Sequence, residues 1–420
     1  MYVVFNGTPT EMYLRALGDL VKSGDELAPR GKRIKEIRPA TFEFTNPYNR
    51  VTFLKNRRIN AFFQIAESLW ILSGRADVEW LTKFNSNMGQ FSDDGKYFNA
   101  PYGERMRSWN KNALHNIIIN PIDQLADAYL KLLDDKDTRQ AVIVLSNPMF
   151  DNSNYTIKEH GRDIACNLVF TFKIRNNQLH MTVFNRSNDI HWGLFGANLC
   201  QFSTIQEVLL NWLKYSGKSE FEELEMGTYT HITDSLHVYL DDYGAKITED
   251  ILNDNQIEGS QNFVCDTDPF MSLNQEKFST FLTTYWGVID PYLTDDEFML
   301  DDSNRNSVFG SNGLLFDLYD KDTIDDYWYF GIQAMAAYRL VKLRHLDKGL
   351  KLMEQMVSCE WKVSMLYFLK EFIRKAKDTV DTETYKRIVS TYQNQVEKLP
   401  YRLLYRNQIN HLLDYLKLDC

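Results

Sequence analysis

The sequence predicts an α+β fold followed by a mainly helical C-terminal extension. Up to about residue 245, amphipathic helical segments alternate with runs rich in β-branched and aromatic residues, whereas from about residue 326 onward the apolar spacing is helical. The length of 420 residues exceeds what a single core usually holds, and an apolar content of 44% excludes global disorder. We therefore expect more than one folded domain.

The individual elements follow from periodicity and from the residues that end each segment. Helices are predicted over residues 1–20, 60–74, 120–135 and 202–217. Strands are predicted within residues 30–54 (a loop, then a strand), over 141–148, and as a hairpin over 168–185. Asn120 and Pro121 suit the start of the third helix, Gly74 and Gly217 suit helix ends, and Asn176 lies in the polar turn of the hairpin.

The character of the chain changes after about residue 245. Residues 284–312 are rich in Asp, Asn, Ser and Gly, which predicts an exposed linker or lid. We therefore expect a first domain over 1–245, a linker or lid region over 246–315, and a helical extension of unassigned role over 316–420.

Charge and cysteine usage exclude several classes of function. A formal net charge of −10 argues against nucleic acid as a partner, so an anionic ligand needs a local cluster of arginines. The five cysteines are widely spread and form no CxxC pair, which argues against a zinc site and favours a reducing compartment. The N-terminus resembles no signal peptide and no segment reaches the length of a membrane span, so we expect a cytoplasmic protein.

Four places carry residues suited to chemistry, and each also has a purely structural interpretation. Cys166 is either a buried core cysteine or a nucleophilic thiolate. Glu67 interrupts an apolar helix and either faces solvent or is a paired site carboxylate. The polar segment 183–193 is either a turn or a site at a strand end, and His237 in 230–239 is either structural or functional.

The order of these motifs resembles that of one enzyme family. The segments ESLW, APYGERMRSW, DTRQAVIVLSNP, ACN, RSNDIHWG and THITDSLHVY follow each other as in thymidylate synthases and the related pyrimidine nucleotide hydroxymethylases, over about residues 10–245. Phage-type members are the most similar in look. The resemblance implies a mixed β-sheet core with flanking helices, a pyrimidine deoxynucleotide substrate, 5,10-methylenetetrahydrofolate as co-substrate, no metal, and a homodimer with a shared phosphate site.

The resemblance assigns the reacting groups around the pyrimidine ring. Cys166 is in the position of the nucleophile that adds to C6 and makes C5 reactive, which requires a thiolate stabilised by nearby positive charge. Glu67 matches the glutamate that organises water and moves protons near the exocyclic group at C4. Tyr102 matches the tyrosine near C5 that assists proton removal.

Arginines are assigned to the substrate phosphate. Arg186 matches the arginine that serves both the thiolate and the phosphate, and Arg139 matches one that is lent across the dimer interface. The family usually has a second arginine beside it, whereas this chain has Gln140. Arg30 matches the mobile phosphate loop, with Arg33 as the alternative.

The remaining assignments concern the phosphate, the sugar and the folate. Ser187 is expected to donate to the same phosphate, and His237 and Tyr239 match the pair that binds the sugar 3′-hydroxyl. Asp189 matches the residue that hydrogen-bonds the pterin, and Trp70 is expected beside the folate.

Product and base are inferred from departures within the motifs. Asp163 stands where the family has a water-excluding leucine, and Met88 and Phe91 replace shielding tryptophans, which favours hydroxymethylation over methylation. No aspartate is available to select cytosine, so dUMP is favoured, with either Ala197 or Asn198 at the base-recognising position. The alternatives are a thymidylate synthase, a dCMP hydroxymethylase, and a non-catalytic binding protein on the same scaffold.

Overall fold

A computed structural model describes residues 1–109, 121–152, 163–241, 243–253, 269–320, 323–399 and 416–418. The chain forms two compact units. The first comprises Met1–Thr52 and Glu67–Asn255, and the second comprises Phe53–Ala66 and Gln256–Cys420. The division into 1–245, 246–315 and 316–420 stays a prediction.

Two β-sheets organise the first unit. The strands are β1 Tyr2–Val4, β2 Asp25–Leu27, β3 Ile34–Ile37, β4 Ala40–Phe44, β5 Val142–Val144, β6 Asn167–Arg175, β7 Gln178–Asn185, β8 Asn188–Asp189, β9 Glu225–Thr233 and β10 Leu236–Tyr239. The larger sheet has the order β1-β4-β9-β7-β6-β5, and the smaller has the order β2-β3-β10-β8. Both contain parallel and antiparallel pairs, so the expected mixed sheet is confirmed.

The β6–β7 hairpin is the predicted hairpin, and its turn fixes the register of the site. Asn176 and Asn177 have φ values of 51° and 58°, the left-handed conformation that a two-residue type I′ turn needs and that Asn tolerates. Pairing then runs from Arg175 opposite Gln178 to Asn167 opposite Asn185. The turn therefore brings the residues around position 166 beside those around position 186.

The helices of the first unit cover the sheets. They are α1 Pro9–Ser23, α2 Ala61–Leu72 (which begins in the second unit), α3 Val78–Phe84, α4 Tyr102–Arg107, α5 Gln124–Asp134, α6 Pro148–Asp151, α7 Leu199–Lys214 and α8 Tyr243–Leu252. Short 3₁₀ helices span Pro29–Gly31, Ser86–Phe91 and Ser219–Phe221, and a π-helix spans Ile190–Asn198. Helix α7 is buried almost throughout, and Phe202 packs against Phe170 of β6 with ring centroids 4.7 Å apart.

Two predicted helix starts are wrong. The first helix begins at Pro9 because Thr8 and Glu11 form a reciprocal capping box, and residues Tyr2–Val4 ahead of it form a strand parallel to β4. The third helix begins at Gln124, where Asp123 is the N-cap and accepts from the amide of Ala126. Asn120 lies outside the described residues.

The second unit is helical over its described part. Its helices are α9 Gln275–Thr284, α10 Asp290–Thr294, α11 Asp296–Leu300, α12 Asp302–Phe309, α13 Leu314–Asp320, α14 Asp326–Lys342, α15 Leu346–Met353, α16 Glu360–Ala376 and α17 Thr382–Glu397, with a π-helix at Tyr285–Ile289. The helical C-terminal region is thus confirmed. The predicted continuation through 400–415 lies outside the described residues.

The acidic stretch 284–312 differs from the expected exposed linker, because it is helical. Asp295 and Asp301 cap α11 and α12 by accepting hydrogen bonds from the amides of Phe298 and Asn304. Met299 and Phe309 are buried. The aspartates that indicated a loop are therefore helix caps.

Candidate active site

Cys166 lies immediately before β6, where the hairpin places Arg186 opposite it. The Arg186 amide donates to the Cys166 carbonyl at 2.9 Å, and Arg186 Nη2 lies 3.6 Å from Cys166 Sγ. The guanidinium is oriented by two carbonyls, with Nε donating to Ala165 at 2.8 Å and Nη2 to Ile164 at 3.0 Å. Cys166 is half-buried, so a ligand has access to a thiol with a fixed positive charge beside it.

Burial and neighbouring charges act in opposite directions on this thiol. Burial raises the pKa of Cys166, Arg186 and Arg30 lower it, and Asp163 raises it. Arg30 therefore acts on the nucleophile although it is distant in sequence. Arg33 forms ion pairs with Glu26 and Asp241 instead.

Tyr102, the first residue of α4, lies directly above the nucleophile's backbone. Its hydroxyl oxygen accepts from the amides of Cys166 at 3.2 Å and Asn167 at 3.3 Å. Burial, followed by the charge of Cys166, raises the pKa of Tyr102, so the hydroxyl keeps its proton. It thus has a proton to donate or relay beside the reacting thiol.

Asp163 joins the entrance of β6 to the segment ahead of α4. Its Oδ2 accepts from the Ala100 amide at 2.8 Å. Burial raises the pKa of Asp163, and its charge in turn raises the pKa of Cys166 and of Tyr102. A polar carboxyl is therefore present among the reacting groups.

Glu67 on α2 meets Gln201 on α7, a partner that the sequence interpretation missed. Gln201 Nε2 donates to Glu67 Oε2. Glu67 keeps part of its surface exposed, yet burial of its carboxyl raises the pKa to about 8 while the Gln201 bond lowers it. A glutamate with a pKa near neutrality can hold or release a proton under working conditions.

Trp70, predicted beside a folate, lies in the core one turn after Glu67. It is 4% exposed, its indole N–H donates to the Asp77 carbonyl at 3.2 Å, and its ring packs edge-on against Phe98. Its hydrogen-bonding group is therefore used within the protein.

The smaller sheet gathers the predicted phosphate, sugar and pterin residues. Arg30 lies in the connection between β2 and β3, with a left-handed φ of 54°, and β3 pairs with β10, which carries His237 and Tyr239. His237 lies opposite Asp189 of β8, and the two rings on β10 meet edge to face with centroids 5.3 Å apart. Burial lowers the pKa of His237, whereas Asp189 raises it. Ser187, beside β8, donates through its amide to Asn185 Oδ1 at 2.7 Å.

The π-helix Ile190–Asn198 bears on the choice between Ala197 and Asn198. Asp189 starts it by accepting from the His191 amide at 2.7 Å. A π-helical turn holds one residue more than an α-helical turn, which is compatible with a one-residue insertion ahead of Asn198, and the choice between Ala197 and Asn198 stays a prediction. Asn198 is 8% exposed, and its Oδ1 accepts from Asn188 Nδ2 at 3.2 Å.

Three predicted residues lie apart from these contacts. Arg139 is exposed in the connection between α5 and β5. Met88 is half-buried and Phe91 exposed in the 3₁₀ helix Ser86–Phe91. The assignment of Arg139 to the phosphate site of a second copy stays a prediction.

The sequence interpretation missed the polar residues behind the site, which are Asn188, His231, Tyr229 and Gln201. Gln201 is one of several buried polar residues on α7, so no sequence signal separates it from Gln206 or Asn211. Within the described ranges, no cluster of His, Cys, Asp or Glu is arranged to hold a metal ion. A membrane-crossing helix, long and apolar enough, is likewise not found in those ranges.

Comparison with known proteins is consistent with this geometry. A family model described as thymidylate synthase matches residues 11–280. A deoxyuridylate hydroxymethyltransferase of Bacillus phage SP01 is 48% identical over 378 residues, covering 88% of this chain and 94% of that protein. Proteins of the same description from Pseudomonas phage M6 and Delftia phage PhiW-14 are 29% and 30% identical, covering 74% and 52% of this chain and 88% and 55% of their own lengths.

Proposed function

Since this chain belongs to the thymidylate synthase family of one-carbon transferases, we propose that it converts dUMP to 5-hydroxymethyl-dUMP. The observation that carries the choice of product is Asp163, whose carboxyl acts electrostatically on both Cys166 and Tyr102 at the position of a water-excluding leucine. A carboxyl there can bind and orient water. The names of the phage relatives support the same product.

Cys166 is the proposed nucleophile. Its thiolate forms a bond from Sγ to C6, and the electrons of the C5–C6 double bond move to C5 and O4. Methylenetetrahydrofolate, when bound, supplies the one-carbon unit that C5 attacks. C5 then loses its proton with the help of Tyr102, tetrahydrofolate departs, water adds to the exocyclic carbon near Asp163, and the bond between Sγ and C6 breaks to release the thiolate.

Glu67 is the proposed proton carrier at O4. With a pKa of about 8 it is mainly protonated at neutral pH, so it can donate toward the oxygen on which negative charge develops. Gln201 holds one carboxyl oxygen and thereby orients the other. Glu67 therefore acts with Tyr102 rather than in place of it.

The nucleotide phosphate is proposed to bind Arg30, Arg186 and Ser187. Arg30 and Arg186 already place positive charge at the thiol, so a phosphate bound there neutralises charge that a thiolate also uses. His237 and Tyr239 of β10 are the proposed partners of the sugar 3′-hydroxyl.

The folate is proposed to contact Asp189, which is half-buried at the start of the π-helix. The donor set fits, because a carboxylate accepts from the N–H groups of a pterin. Trp70 contributes by packing behind Glu67, since its indole N–H already donates to Asp77.

The active form is proposed to be a homodimer. Val144, Val169, Phe184 and Ile232 lie directly opposite one another across β5, β6, β7 and β9, on the face of the sheet turned away from the buried one. Val144 and Phe184 are each 39% exposed. An apolar row of this kind suits association with a second copy, which also supplies Arg139.

The host cytoplasm is the proposed location of the reaction. The three described cysteines, Cys166, Cys200 and Cys359, form no disulfide, and free thiols are typical of a reducing compartment.

Product analysis tests this proposal. Purified protein is incubated with methylenetetrahydrofolate and either dUMP or dCMP, and the nucleotides and folates are identified by mass spectrometry. We expect 5-hydroxymethyl-dUMP with tetrahydrofolate. Formation of dTMP with dihydrofolate would make the protein a thymidylate synthase, product from dCMP alone would make it a dCMP hydroxymethylase, and no product from either nucleotide would favour a non-catalytic protein.

A further inference from the structure

A buried chain of polar side chains lies behind Asn198. Asn188 Nδ2 lies 3.2 Å from Asn198 Oδ1 and 2.7 Å from His231 Nε2, and His231 Nδ1 lies 2.7 Å from Tyr229 Oη. Asn188 is 2% exposed, and His231 and Tyr229 are fully buried. None of these three residues touches the groups assigned above to the reaction, so the chain needs another explanation.

The protonation of His231 fixes the direction of these hydrogen bonds. Burial lowers its pKa to about 3, so the ring is neutral and has one donor and one acceptor nitrogen. Nε2 accepts from Asn188 Nδ2, which leaves the proton on Nδ1 to be donated to Tyr229 Oη. Asn188 is thus held with its amino group toward both His231 and Asn198.

The carbonyl of Asn188 shows that its neighbours impose this orientation. Oδ1 is buried and has no partner in the described part of the chain, which costs free energy. It also lies 2.0 Å from where a Cβ on residue 193 would be, so only glycine fits there. The Asn188 carbonyl therefore contributes no hydrogen bond, and both side-chain hydrogen bonds of Asn188, to His231 and to Asn198, come from its amino group.

The bond from Asn188 fixes the orientation of the Asn198 side-chain amide. Because Asn198 Oδ1 faces the Asn188 amino group, its own amino group is on the other side, and no described residue accepts from it. Uracil presents an N3–H donor and an O4 acceptor, which match an amide that offers Oδ1 and Nδ2 in this order. Cytosine presents the reverse pattern, and an Asn198 amide turned to match it would bring two amino groups against each other.

We propose that Asn188, held by His231, is a positioning residue that keeps the Asn198 amide in the uracil-binding orientation and excludes cytosine. The selection rests on the proposed conversion of dUMP and on the assignment of Asn198, made from the family resemblance, to contact the base. Part of the specificity then comes from the unfavourable contact between the amino groups of Asn188 and Asn198 that cytosine binding would require.

The test replaces Asn188 by a side chain that only accepts. In Asn188→Asp, the carboxylate accepts from Asn198 Nδ2, so the Asn198 amide turns. We expect the ratio of kcat/KM for dCMP to kcat/KM for dUMP, measured as tritium release from C5, to rise about tenfold or more. His231→Gln, whose Oε1 still accepts from Asn188, should keep the wild-type ratio, whereas His231→Leu should raise it.

Controls separate the possible failures. Gln206→Glu makes the same chemical change at an equally buried amide that donates to the carbonyls of Leu179 and Gly227, so it should lower stability without moving the ratio. Asn198→Asp should raise the ratio directly. If Asn198→Asp raises the ratio while Asn188→Asp and His231→Leu do not, the positioning role of Asn188 is wrong, and base recognition by Asn198 is retained. If Asn198→Asp also leaves it unchanged, base recognition by Asn198 is wrong, and product analysis remains an independent test of the reaction.

Discussion

At the scale of single residues, the site depends on charges that oppose burial. Burial raises the pKa of Cys166, and Arg186 and Arg30 lower it. Arg186 is held by two carbonyls of the segment before the nucleophile, whereas Arg30 lies in a left-handed turn beside Gly31. One arginine is therefore built into the site, and the other belongs to a connection between strands.

Glu67→Gln is predicted to change both activity and the pH dependence of stability. Between pH 4.5 and about 8, folded Glu67 keeps a proton that the unfolded chain has released, so stability falls as pH rises through this window. Glutamine removes that slope, and the Tm of the variant should exceed that of the wild type at pH 8 but not near pH 4.5. Its kcat should fall about 10²-fold, since a proton carrier is lost.

Thermal unfolding from pH 4.5 to 8.5 and steady-state kinetics measure the two effects of Glu67→Gln. Glu79→Gln, at an exposed position on α3, is the matched control and should leave both unchanged. If Tm changes with pH to the same extent in the Glu67→Gln variant and in the wild type, the raised pKa of Glu67 is contradicted.

At the scale of elements, the π-helix Ile190–Asn198 ends at Asn198, the residue proposed to recognise the base. Its wider turn brings backbone atoms close together, and a Cβ on Gly196 would lie 2.4 Å from the His191 carbonyl oxygen. Glycine is thus required by close approach. The following helix α7 starts at Leu199, so any shift of the π-helix moves Asn198 at their junction.

Gly196→Ala is predicted to destabilise the fold and to weaken dUMP binding. The added methyl group displaces the His191 carbonyl, at a cost of about 1–3 kcal/mol, and shifts Asn198. Urea unfolding and the KM for dUMP measure both effects. Gly18→Ala is the control, since the methyl group meets nothing within 4 Å in α1 and alanine favours a helix. An unchanged KM in Gly196→Ala would argue against the π-helix as the determinant of register.

At the scale of the whole molecule, the proposed dimer predicts complementation between two damaged subunits. Arg139→Ala lowers activity in both sites of a homodimer, and Cys166→Ala abolishes it. In a mixed dimer, the site that keeps Cys166 receives Arg139 from the other subunit. Co-expression should therefore restore up to about a quarter of wild-type activity, the share of sites with both residues at random pairing, and mixed dimers isolated through two affinity tags should reach up to about a half.

The control pair for this experiment is Arg186→Ala with Cys166→Ala. Arg186 contacts Cys166 within one subunit at 3.6 Å, so mixing these variants cannot rebuild a site. Restoration by both pairs, or by neither, would contradict the assignment of Arg139 to the partner. Phe184→Asp, on the apolar row of the sheet, should abolish the restored activity by favouring monomers.

Much of the site was predictable because its residues belong to short motifs. Cys166, Arg186 and Asp189 lie in segments whose order along the chain identifies the family, and the β6–β7 hairpin that joins two of them is local. Helix starts were predicted wrongly where several neighbouring residues could each act as the N-cap. Asp123 rather than Asn120 starts α5, and Asp295 and Asp301 cap helices in a stretch whose composition indicated a loop.

The sequence by itself determined the family and located the proposed nucleophile Cys166 and the arginine beside it, because these depend on residue type and spacing within local elements. Only the tertiary structure decided that Gln201 meets Glu67, that Arg30 as well as Arg186 lowers the pKa of Cys166, and that Asn188 and His231 lie behind Asn198. These partners are separated by tens to more than a hundred positions in the chain. Strand register and the extra residue of a π-turn bring them together, and neither can be counted from the residues alone.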